Sequence, residues 1–157
     1  IGRIAAITLL LKDVVEIPKT PPIEARADKR LVQLQLVKKT NHIYQRIRNE
    51  HYIPNNQSVG QALNYLIHYA GEPAIGIISA ASDVYTTKAR DEFFGLSNKK
   101  EIKNMQLNSL VNNNVFRLAK RIPNLVSIVL KISRERLQRD WENLYGVAVA
   151  GFPTFII

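Results

Sequence analysis

The stretch LVNNNVFRL, residues 110–118, decides how this chain is read. Leu110, Val111, Val115, Phe116 and Leu118 favour a strand, yet three consecutive asparagines interrupt them. Asparagine is depleted in strands because its amide competes for backbone hydrogen bonds. Either the asparagines form a turn or bulge whose amides satisfy backbone groups, or they build a polar site on a rigid strand. On a regular strand Asn112 and Asn114 share one face and Asn113 takes the other, so at most two reach one site. The expectation is that both readings hold: the asparagines break regular pairing, and the splayed strand opens a polar cleft beside the helix that follows.

That helix is the longest periodic pattern in the chain. Pro123 sits at the first helical position, and NLVSIVLKISRERLQRDWENLY (124–145) carries the stripe Leu125, Ile128, Val129, Ile132, Leu137, Trp141 and Leu144. Glu135 and Arg139 stand in the favourable i,i+4 order, and Gly146 closes the helix. VAVAGFPTFII (147–157) reads as a last strand.

Upstream, LVQLQLV (31–37) alternates, with Val32, Leu34 and Leu36 on one face and Gln33 and Gln35 on the other, the period-2 signal of a half-buried strand. Thr40 or Asn41 can cap a helix through HIYQRIRNEHY (42–52), which Pro54 ends. ALNYLIHY (62–69) and PAIGIISAA (73–81) read as a hairpin turning at Ala70-Gly71-Glu72. Helices are expected over 83–94, stopped by Gly95, and from Ser97 or Asn98 to about Leu107. Residues 3–15 read as a helix ending before Pro18, and the next stretch, with Pro18, Pro21 and Pro22, has the composition of a linker. The domain division is therefore 1–30, an N-terminal helix and Pro-rich linker, and 31–157, a mixed α/β domain. Its strand–helix–strand unit over 110–157 needs a right-handed crossover if both strands share one sheet.

At 157 residues, one domain with its own core is the default. No cysteine is present, which excludes disulfides, thiolate metal sites and a Cys nucleophile, and fits an intracellular setting. The net charge of +9, from 22 Lys and Arg against 13 Asp and Glu, favours a polyanionic partner, DNA above all. IAAITLLL (4–11) is too short to span a bilayer and lacks a cleavage site, so no membrane attachment is expected and the location is cytoplasmic. His42 and His68 have no ligand-spaced partners, so no metal site is assigned, and Ser79, Ser82 and Ser97 lack a His–Asp constellation for hydrolysis. Ile1 in place of Met, and a strand as the final element, lead to the expectation that the chain is a piece of a longer product.

In combination, YLIHYAGEPAIGIISAASDVYTTKARDEFFGLS, VNNNVFRL, PNLVSIVL, DWENLYG and GFPTFII resemble one family. It is the DruA domain family of the Druantia anti-phage system and of related phage and mobile-element proteins, and the resemblance covers roughly residues 40–157. The family is distantly similar to the phage Mom DNA-modification proteins of the GNAT acyltransferase superfamily. The resemblance implies a GNAT-like central sheet, acetyl-CoA or a related acyl donor as cofactor, the exocyclic amine of adenine in DNA as target, and defence-system or phage proteins as partners. It also implies a cleft shared by EHY, ARDEFFG, NNNVFR and the start of the PNL helix. Two departures stand out: Pro153 occupies a position that is usually acidic, and AKRIPNLV stands where acetyltransferases present glycine amides to a pyrophosphate. These departures favour the alternative of a non-catalytic DNA-binding module in a defence complex.

The candidate residues follow. His51 and Tyr52 match a His-Tyr pair near the reacting amine, against the plainer reading of a helix end. Asp91 would handle a proton and Arg90 would hold a phosphate, against a solvated helix face with a local ion pair. Asn112 and Asn113 would touch base or cofactor, as would Asn124 of the PNL motif. Arg117, Lys131 and Arg134 would neutralise phosphates, against an ordinary solvated face for the helical pair.

Overall fold

The computed structural model describes residues 26–50, 60–82 and 87–153. Four strands form one sheet in sequential order, each antiparallel to the next: β1 (Val32–Val37), β2 (Ala62–Tyr69), β3 (Gly76–Ser82) and β4 (Val111–Leu118). The helices are α1 (His42–Asn49), α2 (Lys88–Phe93), α3 (Lys100–Leu107) and α4 (Leu125–Tyr145), and a 3-10 turn, Lys29–Leu31, leads into β1. The mixed α/β class read from the sequence is the class observed. The expected helix over 3–15 lies outside the described residues, as does the start of the one expected over 83–94.

Both faces of the sheet are covered. On one, Leu63, Tyr65, Ile67 and Ile78 pack with Leu125, Val129 and Trp141 of α4. On the other, Leu66, Ile77 and Val115 pack with Tyr44 and Ile47 of α1. Double coverage explains why ALNYLIHY and GIISAAS read as near-continuous apolar runs, whereas β1, at the sheet edge, alternates.

Local signals fix the ends. Asn41 caps α1, its Oδ1 accepting from the N–H groups of Ile43 and Tyr44 at 3.0 Å each. The β2–β3 connection turns on Ala70 (φ 54°) and Gly71 (φ 72°), and the Glu72 N–H donates to the Tyr69 carbonyl at 3.1 Å. Positive φ at both central residues matches the twist of the flanking strands, and Gly71 takes it without steric cost. Gly146 (φ 67°) ends α4, its N–H bonded to the Glu142 carbonyl.

The long helix buries most of the expected stripe, with Ile128 and Ile132 packed partly buried against the core, and departs from it at Leu144. Leu125, Val129, Ser133, Leu137 and Trp141 are inside, spaced strictly by four, while Leu144 is 56% exposed. A repeat of four advances about 40° per step, so the contact line winds around the helix and leaves Leu144 in solvent. At its far end Asp140 is buried and accepts the Tyr65 hydroxyl proton at 2.9 Å on Oδ2, which also accepts from Arg136 Nε at 2.7 Å. Burial first, and the Asp140 carboxylate second, push the Tyr65 phenol well above its usual range, so it remains a donor. The Tyr145 hydroxyl donates to the Ala62 carbonyl at 2.8 Å. Asp140, Trp141, Tyr145 and Gly146 of DWENLYG thus bolt the helix to the sheet.

Of the last strand expected over 147–157, residues 154–157 lie outside the described residues. Over 147–153 the pairing is a single parallel bridge, Leu110 to Gly151, with the Val111 N–H on the Gly151 carbonyl at 3.0 Å and the Ala150 N–H on the Ser109 carbonyl at 2.8 Å. Val147, Val149 and Phe152 pack their side chains on the core without a ladder. Among the described residues no helix is long and apolar enough to cross a membrane.

Tyr65→Phe removes one donor from a buried carboxylate and leaves its arginine in place. Thermal or denaturant unfolding should show a loss of about 1.5–3 kcal/mol. A change within 0.5 kcal/mol would mean that Asp140 finds another donor at no cost.

Candidate functional site

The asparagine stretch lies in β4, where the register slips by one. Ser79 of β3 opposes Val115, but its neighbour Ala80 opposes Asn113, so Asn114 is the extra residue of a β-bulge. The Asn113 amide secures the bulge: oriented nitrogen inward, it donates to the carbonyls of Ser79 and Val115, both at 3.1 Å. Its side chain serves the backbone, as the plainer reading had it. Asn112 opposes Ala81, and its Oδ1 is buried with no hydrogen-bond partner among the described residues. Because adjacent positions take opposite faces, Asn112 and Asn113 do not point into one site.

At the far end of β4 the chain turns through residues 119–124 into α4. Here a cavity of about 580 Å³ opens, lined by Phe116, Arg117, Lys120, Arg121, Pro123 and Val126, and no carboxylate lines it. Arg117 is held by α1, donating to the Glu50 carbonyl at 2.7 Å and to its carboxylate at 2.9 Å. That contact satisfies the C-terminal end of α1. Lys120 pairs with Glu72 across the β2–β3 turn. Arg121 is exposed. Asn124, which opens α4, is left-handed at φ 70° and makes no side-chain cap. It lines a neighbouring hollow with Lys131.

ARDEFFG lies at the opposite end of the strand. Phe94 packs on Gly151, where an added Cβ would lie 2.4 Å from its ring, and Gly151 bridges Leu110 just before β4. An eight-residue strand is about 23 Å long. The ARDEFFG and PNL motifs therefore stand at the two ends of β4 and do not share one cleft. His51 and Tyr52 lie outside the described residues.

Arg90 is buried, its side chain 4% exposed, and donates to Asp91 Oδ1 at 3.0 Å from Nε. Asp91 Oδ2 takes Lys103 of α3. Lys103 first, and Arg90 with it, hold the Asp91 carboxyl below the usual carboxylate range. A carboxylate so held is a weak base, and this one ties α2 to α3. Arg90 is thus placed inside the protein rather than offered to a phosphate. Lys131 and Arg134 are exposed on α4, while the neighbouring Arg136 and Arg139 engage Asp140. Among the described residues no cluster of His, Asp or Glu could hold a metal ion.

Lys120 and Arg121 escaped sequence reasoning. The signal was two adjacent cations between a strand and a helix-starting proline, in AKRIPNL. Lys103 escaped too, since nothing local ties it to Asp91, twelve residues earlier.

These features define a class: a small basic α/β protein with an antiparallel four-stranded sheet, whose bulged edge strand leads across a cationic crevice into one long helix. A family model described as Druantia protein DruA matches residues 12–150, and the chain belongs to that family. Membership places it among the components of an anti-phage defence system. No curated protein and no solved structure matches the chain.

Two outcomes follow. Asp91 has a depressed folded pKa, so its contribution to stability is full above the unfolded carboxylate value near 3.9 and is lost as pH falls through the folded one. Asp91→Asn should therefore lower the melting temperature at neutral pH, and the gap to the parent should shrink in acid; a gap constant down to about pH 2 would show that the charge is not what matters. Asn113→Ala should cost about 1–3 kcal/mol by leaving bulge carbonyls unpaired, with Asn112→Ala costing less, both read by chemical denaturation.

Proposed function

We propose that this chain is a nucleic-acid-directed component of anti-phage defence that holds DNA phosphates in the crevice between β4 and α4. The observation that carries this reading is the crevice lining: an exposed Arg121 beside Phe116, with Arg117 and Lys120, whose partners Glu50 and Glu72 stand outside the lining, completing its cationic wall. Arginine and lysine there would neutralise backbone charge without reading sequence, and the first turn of α4 adds the positive end of a helix dipole. Lys131 and Arg134, exposed further along α4, would extend the path. The net charge of +9 supports the same partner. Other defence-system proteins are the further partners this setting suggests.

A finer reading adds chemistry, the transfer of an acyl-derived group to an adenine amine in the manner of Mom-like and GNAT-type enzymes. It draws on one observation, the bulged strand followed by a long helix and a parallel return at Gly151. The phosphates of an acyl donor such as acetyl-CoA would suit the cations at Lys120 and Arg121, which stand where glycine amides would otherwise serve. Asn112, with a buried amide oxygen lacking a partner among the described residues, is the asparagine that remains available to a ligand. The non-catalytic alternative draws on the ion-paired Asp91 and on Asn113, whose amide serves the bulge.

Binding of a labelled duplex, followed by anisotropy against salt, tests the partner. Affinity should fall steeply with salt, and Lys120→Ala/Arg121→Ala should flatten the log–log slope by roughly two, at about 0.9 per phosphate contact. An unchanged slope in that variant would remove the crevice from the interface. Mass spectrometry of hydrolysed DNA from cells expressing the protein separates the finer readings: a new adenine adduct supports transfer, and unmodified DNA supports the binding module.

A further inference from the structure

β1 is an edge of the sheet, and no strand pairs with its outer side among the described residues. The Ala70 N–H donates to the Leu31 carbonyl at 2.9 Å, and from there the β1–β2 register runs without a slip, from Val32 opposite Tyr69 to Val37 opposite Asn64. In an antiparallel pair the N–H and C=O of one residue point the same way, and the direction alternates along the strand. Gln33, Gln35 and Val37 therefore bond inward to β2, while Leu34 and Leu36 turn both groups outward. The Val32 carbonyl points outward with them, whereas the Val32 N–H is taken by the Lys29 carbonyl.

Two hollows flank this open row of backbone groups. One, of about 580 Å³, is lined by Leu36, Lys38, Lys39, Asn64 and Tyr145, and no carboxylate lines it. Asn64 is only 8% exposed, and its amide makes no hydrogen bond among the described residues. The other, of about 480 Å³, has an apolar floor of Val32, Leu34 and Ile132 beneath Glu135, Arg136 and Arg139. Both of its arginines engage Asp140, which leaves Glu135 as the carboxylate of that hollow.

We propose that β1 takes up an extended acidic segment of a partner protein as an added strand. Its acidic side chain enters the hollow at Lys38, Lys39 and Asn64, and an apolar side chain enters the hollow over Val32, Leu34 and Ile132. Main-chain hydrogen bonds to Leu34 and Leu36 hold such a strand, and the two hollows select its side chains. Leu34 and Lys38 stand about 14 Å apart at about 3.4 Å per residue, an even spacing that puts both side chains on one face of the incoming strand. Charge selects this occupant over a second copy. Two β1 strands paired antiparallel about Leu34 would set Lys38 and Lys39 of each against Lys29 and Arg30 of the other. Asp28, which pairs with Arg30, offsets only one of those charges. Cations at both ends of an edge strand oppose pairing with a like strand, and β1 itself carries no charged side chain that would repel an acidic one. Glu135 at the apolar hollow directs the acidic side chain to the other end.

Hydrogen exchange of single amides tests whether the edge is open. In the protein alone, Leu34 and Leu36 should exchange at least about tenfold faster than Gln33 and Gln35, which bond to β2. Slow exchange at Leu34 and Leu36 would mean that a second copy or another segment of the same chain already holds the edge, and would overturn the proposal. The probe is a threonine-rich peptide with valine and glutamate at positions i and i+4, compared with the same peptide carrying lysine for glutamate. At saturation the glutamate peptide should slow Leu34 and Leu36 about tenfold, and the lysine peptide should leave them unchanged. Lys38→Glu/Lys39→Glu should reverse that preference, with β2 and β3 amides protected as in the parent. No slowing by the glutamate peptide, equal slowing by both peptides, or an unchanged preference in the variant would each overturn the proposal.

Discussion

One extra residue in β4, Asn114, sets the face that each side chain of that strand takes. Strict alternation would put Val111 and Val115 on the same side with Arg117, and Phe116 and Leu118 on the other with Asn112. The bulge reverses the alternation midway. Val111 then faces α4 with Phe116 and Leu118, while Val115 faces α1. Each helix thereby receives an apolar residue from the edge strand, and the two cores close over opposite faces of one sheet. The polar run through the centre of the strand is what makes this switch possible, because an asparagine amide can supply the hydrogen bonds that a regular ladder would have made.

The same economy governs charge. Many of the cations that a sequence reader would assign to DNA are engaged within the protein: Arg90 and Lys103 with Asp91, Arg117 with Glu50, Arg136 and Arg139 with Asp140. These pairs join elements distant in sequence or steady the polar end of α4. Arg90–Asp91–Lys103 gives two short helices a shared centre, which matters because neither is long enough to be stable alone. Lys120 pairs likewise with Glu72, so what is left for a ligand is narrower than the overall charge suggests: Arg121 at the turn from β4 into α4, and Lys131 and Arg134 along the exposed side of that helix.

The two ends of β4 do different work. At its start, Gly151 lets Phe94 close against the parallel bridge, since any larger residue there would meet the aromatic ring. At its finish the chain must leave the sheet and begin α4, and it does so with a left-handed Asn124 and three cationic side chains around an open crevice. A strand separates the two, so the ARDEFFG stretch belongs to scaffold while the AKRIPNL turn faces solvent and partners.

The sequence by itself determined the kinds of elements and their order. Alternation in β1, the asparagine cap of α1, the Ala-Gly turn, and the proline and glycine that bracket α4 are local signals, each acting within a few residues. It also carried the family, whose motifs are legible as strings. Tertiary structure decided the rest, because it depends on which distant groups meet. That the asparagines form a bulge rather than a turn is set by the register against β3. That Asp140 serves Tyr65, and that α4 buries Ser133 while exposing Leu144, follows from how the helix winds across the sheet. Where 147–153 touches β4 was likewise a tertiary matter: strand propensity is local, but the parallel bridge at Gly151 forms only where Leu110 offers its edge in register.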